Sequence, residues 1–214
     1  MGRGFLAIGL FWTVVVLGSP AFGVAGQSDD PNDAAAISAS GGRANRDHAI
    51  LVLRTKGKEV RLEDGRCLAT VENRACRYRF LRYENSHHAF VVEASSDQEF
   101  DRMLFIGEED GHITILPEEP HFSPDGRRFV VARSCEAFGG FCGLQVWSAV
   151  GPKMLWEHRP TEYAVYEFTQ WQDGQRVALT LTTWVDHHLV TEPAALFEDH
   201  SGRWNLVGPV ERSR

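Results

Sequence analysis

The sequence predicts an all-β chain built from repeated antiparallel meanders, with a β-sandwich as the alternative arrangement. Three observations predict it. Short runs rich in Val, Ile, Phe, Trp and Thr recur along the chain. Between them lie the dipeptides Lys56-Gly57, Asp64-Gly65, Asp110-Gly111, Asp125-Gly126, Asp173-Gly174 and Ser201-Gly202. Glycine takes a positive φ freely and aspartate tolerates one, so Asp-Gly marks a hairpin turn. Finally, no stretch of 12 or more residues keeps apolar side chains at helical spacing.

The chain opens with an address. Arg3 supplies a short positive start, Phe5 to Leu17 form an apolar run, and Gly18, Ser19 and Pro20 end it. Small residues follow at Ala21-Phe22-Gly23 and Val24-Ala25-Gly26, completing the pattern of a secretory signal peptide over residues 1–26. The rival is an uncleaved anchor, but the apolar run is shorter than the roughly 20 residues that span a bilayer. No stable membrane insertion is expected after cleavage. Residues 27–46 are small, polar and turn-forming, with one β-branched side chain, Ile37. Such a segment buries little surface against its ordering entropy, so a flexible linker is expected there. The folded domain is expected over residues 47–209, with a tail at 210–214.

Four cysteines fit an oxidising compartment. Cys67 and Cys76 are nine positions apart, and Cys135 and Cys142 seven. Three pairings are open to four cysteines, and the local one is favoured because each pair brackets a hairpin connection. Closing loops this short contributes about 2 to 3 kcal/mol each. Neither pair has the tight C-x₂₋₄-C spacing of structural zinc.

Aligning the runs on their turns exposes a repeat. One unit covers His121 to His158, the next Tyr166 to Gly208, and the preceding one Arg82 to Pro117. Each has an extended lead-in, a polar or Asp-Gly turn, an apolar strand, a variable loop and a two-stranded hairpin. That is the strand order of a four-stranded meander, the blade of a β-propeller. Ala49–Leu53, Val60–Leu62 and Tyr78–Tyr83 furnish material for a degenerate fourth unit. A small or irregular closed propeller, an open stack of meanders and a sandwich are all compatible with this series. Oligomerisation is a further way to cover unpaired edges.

Within the second of these units, Phe122-Ser123-Pro124-Asp125-Gly126-Arg127-Arg128-Phe129-Val130-Val131-Ala132 resembles the signature of the TolB-like, or WD40-like, propeller repeat. Leu144-Gln145-Val146-Trp147 stands where that family has an aromatic-ended third strand. The resemblance covers about half of the chain. It implies a propeller-like fold in which the aromatic residue packs between blades and the turn precedes a buried strand. It carries no chemistry, and the chain has no room for the α/β domain that precedes the propeller of TolB.

Composition limits the functional classes. The 214 residues are 43% apolar and 24% charged, enough for one sizeable core. With 22 basic against 29 acidic side chains the formal charge is −7, so no nucleic-acid partner is expected. Nine histidines and six tryptophans are more than average. His87-His88 and Asp186-His187-His188, with Glu192 beyond, contain metal-ligating types, and His187, His188 and Glu192 form the candidate metal set. On a strand, however, adjacent residues point to opposite faces. Carboxylates cluster at Glu108, Glu109 and Asp110 and at Glu118 and Glu119, without the spacing of a calcium loop. No nucleophile elbow, H-E-x-x-H, P-loop or G-x-G-x-x-G pattern occurs. Trp147, Trp156, Trp171, Trp184 and Trp204 fall in or beside predicted strands, which favours packing over a sugar-binding groove.

These features predict a secreted or periplasmic, non-catalytic binding or scaffolding module, with no cofactor and a protein partner in the envelope or outside the cell. Variable loops such as Glu136–Phe141 and Asp186–Thr191 are the expected contact regions, with Phe138 and Phe141 the candidate contacts. The alternative is a small secreted hydrolase or metal-dependent enzyme using the loop histidines and carboxylates.

Overall fold

The structure, a computed structural model, describes residues 30–68, 75–96, 102–134, 141–160, 164–185 and 188–209. A helix, α1 (Pro31–Ala39), precedes a first sheet of β1 (Ala44–Asp47), β2 (Ile50–Arg54) and β3 (Glu59–Glu63). The second sheet contains β4 (Cys76–Glu84), β5 (Ala89–Ser96), β6 (Arg102–Gly107) and β7 (Ile113–Leu116). The third contains β8 (His121–Phe122), β9 (Arg128–Arg133), β10 (Gly143–Ser148) and β11 (Lys153–His158). The fourth contains β12 (Val165–Asp173), β13 (Arg176–Val185), β14 (His188–Glu198) and β15 (Trp204–Val207). All pairings are antiparallel between chain neighbours, so each sheet is a meander and the chain is all-β as expected. The three repeat units correspond to sheets two to four. The proposed fourth unit divides: its first two runs belong to the first sheet, whereas Tyr78–Tyr83 lies in β4 of the second.

Which faces are buried follows from the residue pattern. Strands buried on both sides read as continuous apolar runs, and strands buried on one side alternate. Phe90-Val91-Val92, Met103–Ile106 and Phe129–Val131 are continuous and fully buried, which places the second and third sheets inside. Val60 and Leu62 alternate with exposed Glu59, Arg61 and Glu63, and Val177, Leu179 and Leu181 alternate with less buried Ala178 and Thr180. The first and fourth sheets are therefore terminal. Three clusters join successive sheets. Leu51, Leu53 and Leu62 meet Phe80, Phe90 and Leu104. Val91 and Phe105 meet Phe129 and Val131, and Val130, Leu144 and Val146 meet Tyr166, Leu179 and Leu196. Each fully buried phenylalanine among them contributes about 1.5–3 kcal/mol. Among the described residues no hydrophobic cluster links the fourth sheet back to the first.

Strand direction sorts the connections onto two rims. The β2–β3 and β6–β7 turns touch through Lys56 N–H, which donates to Glu108 O at 2.7 Å. The β4–β5 and β8–β9 turns touch at 2.8 Å between His87 Nε2 and Gly126 O. The β8–β9 and β12–β13 turns touch where Arg128 Nη1 donates to Gly174 O at 3.1 Å. All these tight turns share one rim. The β8–β9 turn shows the chemistry: Gly126 sits at φ 67°, and Ser123 Oγ donates to Asp125 Oδ1 at 2.7 Å. The connections β3–β4, β5–β6, β9–β10 and β13–β14 return to the opposite rim.

The first sheet has three strands, and direction identifies the missing one. β1 runs away from the turn rim as β5 does, so β1, β2 and β3 match the second, third and fourth strands of a complete meander. The place of the first strand belongs to α1, which packs on β1 and β4. Asp30 caps its start, accepting from Asn32 N–H at 2.8 Å, and Pro31 opens the first turn. The expectation of a flexible linker over residues 27–46, with the domain beginning at 47, is thus corrected from Asp30 onward. The segment is poor in apolar side chains, but polar contacts, chiefly those of buried Asp33 and Ser40, fix it. No helix among the described residues is long and apolar enough to cross a membrane.

Candidate functional site

At the loop rim, α1, the β1–β2 turn and the ends of β4 and β5 enclose a polar cleft of about 520 Å³. Its floor is an ion triad. Arg46 of β1 donates from Nε to Asp33 Oδ2 at 2.9 Å and from Nη1 to Asp64 Oδ2 at 3.3 Å, and Nη2 donates to Tyr78 O. The two carboxylates accept in turn from the edge of β4: Tyr78 N–H donates to Asp64 at 2.8 Å and Phe80 N–H to Asp33 at 2.6 Å. Side chains from the first sheet and helix therefore occupy the hydrogen-bonding positions of a neighbouring strand. Asp33 is 1% and Arg46 6% exposed, so these charges depend on one another rather than on water.

The cleft wall is set by β4 and β5. Arg79 Nε donates to Glu93 at 2.6 Å, and its guanidinium lies 3.9 Å from Asp30. Arg46 and Arg79 thus each pair with two of the four carboxylates that line the cleft, Asp33 and Asp64 for the first and Asp30 and Glu93 for the second, so acidic groups stay in excess in these networks. Two basic side chains at the mouth have no such partner among the described residues, Arg77 and His48. His48 sits in the left-handed region at φ 54° in its two-residue turn. The arrangement can offer an incoming group hydrogen-bond donors without rearranging the floor. Among the described residues that line it, no nucleophile is held against a base.

The Cys67–Cys76 bridge closes the connection beside this cleft, with Cα atoms 4.8 Å apart. Tyr78 reinforces it: its hydroxyl donates to Arg66 O at 2.9 Å and accepts from Leu68 N–H at 3.1 Å. Burial pushes that hydroxyl above its ordinary pKa. Cys142 is also disulfide-bonded, while Cys135 lies outside the described residues. Phe138 is outside them too. Phe141 is half-buried, with the Arg159 guanidinium 5.2 Å above its ring.

The candidate metal set is not brought together. His187 lies outside the described residues, and exposed His188 and Glu192 sit four positions apart on extended β14. That spacing separates their Cα atoms by about 13 Å. No group of three or more His, Cys, Asp or Glu is placed to hold a metal among the described residues.

The remaining histidines and carboxylates join sheets or complete turns. His87 stacks on Phe122 at 4.0 Å and His121 on Phe168 at 4.1 Å, both across sheet boundaries. Burial lowers the pKa of His121. Glu108 receives Tyr83 Oη at 2.8 Å, lies 3.1 Å from His88 Nδ1 and pairs with Arg43 at 3.4 Å. Burial acts to raise its pKa, but these partners outweigh burial and hold it below the usual range. Glu109 pairs with Lys56, Asp110 accepts from His112 N–H, and Glu119 pairs with Arg82. Glu118 accepts from Glu119 N–H at 3.3 Å. The tryptophans pack: Trp147 on Phe129, Trp156 on His158 and Trp171 on Trp204, with Trp171 Nε1 donating to His121 O.

The triad of Asp33, Arg46 and Asp64 was not visible as a site in the sequence. The available signal was Asp30-Pro31 followed by Asp33, an N-cap and first-turn pattern. No family model, curated protein or solved structure matches this chain.

Proposed function

We propose that this chain is an extracytoplasmic, non-catalytic binding or scaffolding module that holds a protein partner at its loop rim. The observation that carries this reading is the division between the rims. The turn rim is built of short hairpins that hydrogen-bond to one another, and their polar groups are largely consumed. The loop rim carries the long β3–β4 connection with its Cys67–Cys76 bridge and the cleft whose mouth presents Arg77 and His48. Loops on a rigid sheet scaffold are the usual carriers of recognition. A carboxamide-rich segment suits those two donors, because it offers acceptors without adding charge to a cleft already rich in carboxylates. Export fits the residue 1–26 pattern, and an oxidising compartment fits the Cys67–Cys76 bridge. The repeat in this reading is of the TolB-like type, supported by the Ser123–Arg128 turn and the buried strand after it.

The test places a photo-crosslinking side chain at Arg77 on the loop rim or at Arg127 on the turn rim, in cells that export the full chain. Adducts specific to position 77 are expected. Equal capture from both rims, or capture from position 127 alone, overturns the reading.

A further inference from the structure

The pairing registers assign every terminal face of the series. The outer face of the first sheet presents Arg54, Glu59, Arg61 and Glu63, all exposed, around half-buried Ile50 and buried Val52, so its exposed groups are charged. The outer face of the fourth sheet has a different character. Leu189, the Thr182–Thr191 pair and the row Ala178–Ala195–Val207 share it. Leu189 is 61% and Val207 56% exposed, although both are large apolar residues. Thr182 and Thr191 satisfy each other at 2.8 Å and so ask little of water. Charge enters at Glu167 and at the turn-side margin, Asp173 and Arg176. None of these residues belongs to a core cluster among the described residues.

We propose that a second copy of this chain covers that face, the two fourth sheets packing on each other about a two-fold axis. Head-to-tail stacking is disfavoured by charge, because it would take Arg54, Glu59, Arg61 and Glu63 out of water against apolar side chains, a cost that the exposed pairs of Arg61 with Glu59 and of Glu63 with Arg66 do not offset. The two-fold arrangement sets apolar and threonine rows against the same rows, and it closes after two copies rather than growing into a fibre. The area suits a weak contact. β12, β13, β14 and β15 have 9, 10, 11 and 4 residues, and at these lengths the face covers about 540 Å² per copy, or about 1,100 Å² in all, within the range of weak, transient interfaces. The dimer is therefore reversible. It does not use the cleft residues Arg77 and His48, although Leu189 and Thr191 adjoin the β13–β14 connection on the loop rim.

Sedimentation velocity of the purified mature chain over a concentration series tests this. A monomer–dimer equilibrium is expected, weakened at least about tenfold by the double variant Leu189→Lys/Val207→Lys, because each copy then buries two ammonium groups. Both positions are exposed, so the variant's melting temperature when monomeric should match that of the parent. Arg61→Glu, on the other terminal face, and Leu155→Lys, on the β11 edge, should leave dimerisation unchanged. A parent chain that stays monomeric to about 100 µM overturns the proposal. So does a dimer insensitive to the double variant, or one dissociated instead by Arg61→Glu or Leu155→Lys.

Discussion

Asp33 accepts the backbone N–H of Phe80 at 2.6 Å across 47 residues of sequence, and through this contact a helix takes the part of a strand. The same carboxylate holds Arg46, so a single side chain serves two buried groups. Asp33→Ala would leave the Phe80 N–H without an acceptor and Arg46 with half of its counter-charge. The expected loss is about 3–5 kcal/mol, the cost of breaking one partner out of a buried ionic network. Asp33→Asn keeps an acceptor for Phe80 and should lose less. Urea unfolding of the three proteins measures both. A cost below about 1 kcal/mol for the alanine variant would mean that α1 is an accessory to the fold.

Arg128 is the corresponding clamp between the third and fourth sheets. It donates to both carboxylate oxygens of Glu198, at 2.9 and 2.7 Å, and to Gly174 O, and its guanidinium lies 5.7 Å from the Trp204 ring centroid. Lysine retains the charge but cannot make this fork. Arg128→Lys should cost about 1–3 kcal/mol, and a double-mutant cycle with Glu198→Gln should show that the two effects are not additive. Additive losses would show that Arg128 acts through Trp204 and Gly174 alone.

The parts of this fold that were legible are those in which local pattern and tertiary environment agree. Phe129-Val130-Val131 after Asp125-Gly126 reads as a turn and a doubly buried strand, and it is one. The alternation from Val177 to Thr183 reads as a strand with one free face. What escaped depends on partners distant in sequence. Residues 31–39 carry a local helix signal, the Asp30-Pro31 cap followed by Ala34-Ala35-Ala36, but what docks the helix is a carboxylate matched to Arg46 and Phe80, partners that the local pattern does not show. The histidine excess likewise has no local meaning. His87 and His121 are explained by Phe122 and Phe168, rings supplied by the following sheet.

Cys67–Cys76 ties the β3–β4 connection to the first residue of β4, directly beside the triad. Replacing both cysteines by serine should lower stability by about 2–3 kcal/mol, the loop-closure value for so short a segment. Reductant should have a further effect on that variant only through Cys142 and its partner. Thermal melts with and without reductant separate the contributions. A variant as stable as its parent would show that Tyr78 alone retains the connection.

His121 provides a pH signature at the junction of the third and fourth sheets. Burial, with a smaller contribution from the Arg82 charge, holds its pKa below the ordinary value of 6.5, against the opposing pull of Glu119. As pH falls through about 6.5 the unfolded chain binds a proton here that the folded chain resists, so stability declines on acidification. The decline ends once the pH is below the folded-state pKa. Phenylalanine at this position keeps a flat ring against Phe168 and leaves the carbonyl that accepts from Trp171, but it cannot titrate. Urea midpoints measured from pH 8 to pH 5 should therefore fall more steeply for the parent than for His121→Phe. Parallel curves would assign the acid sensitivity to another group.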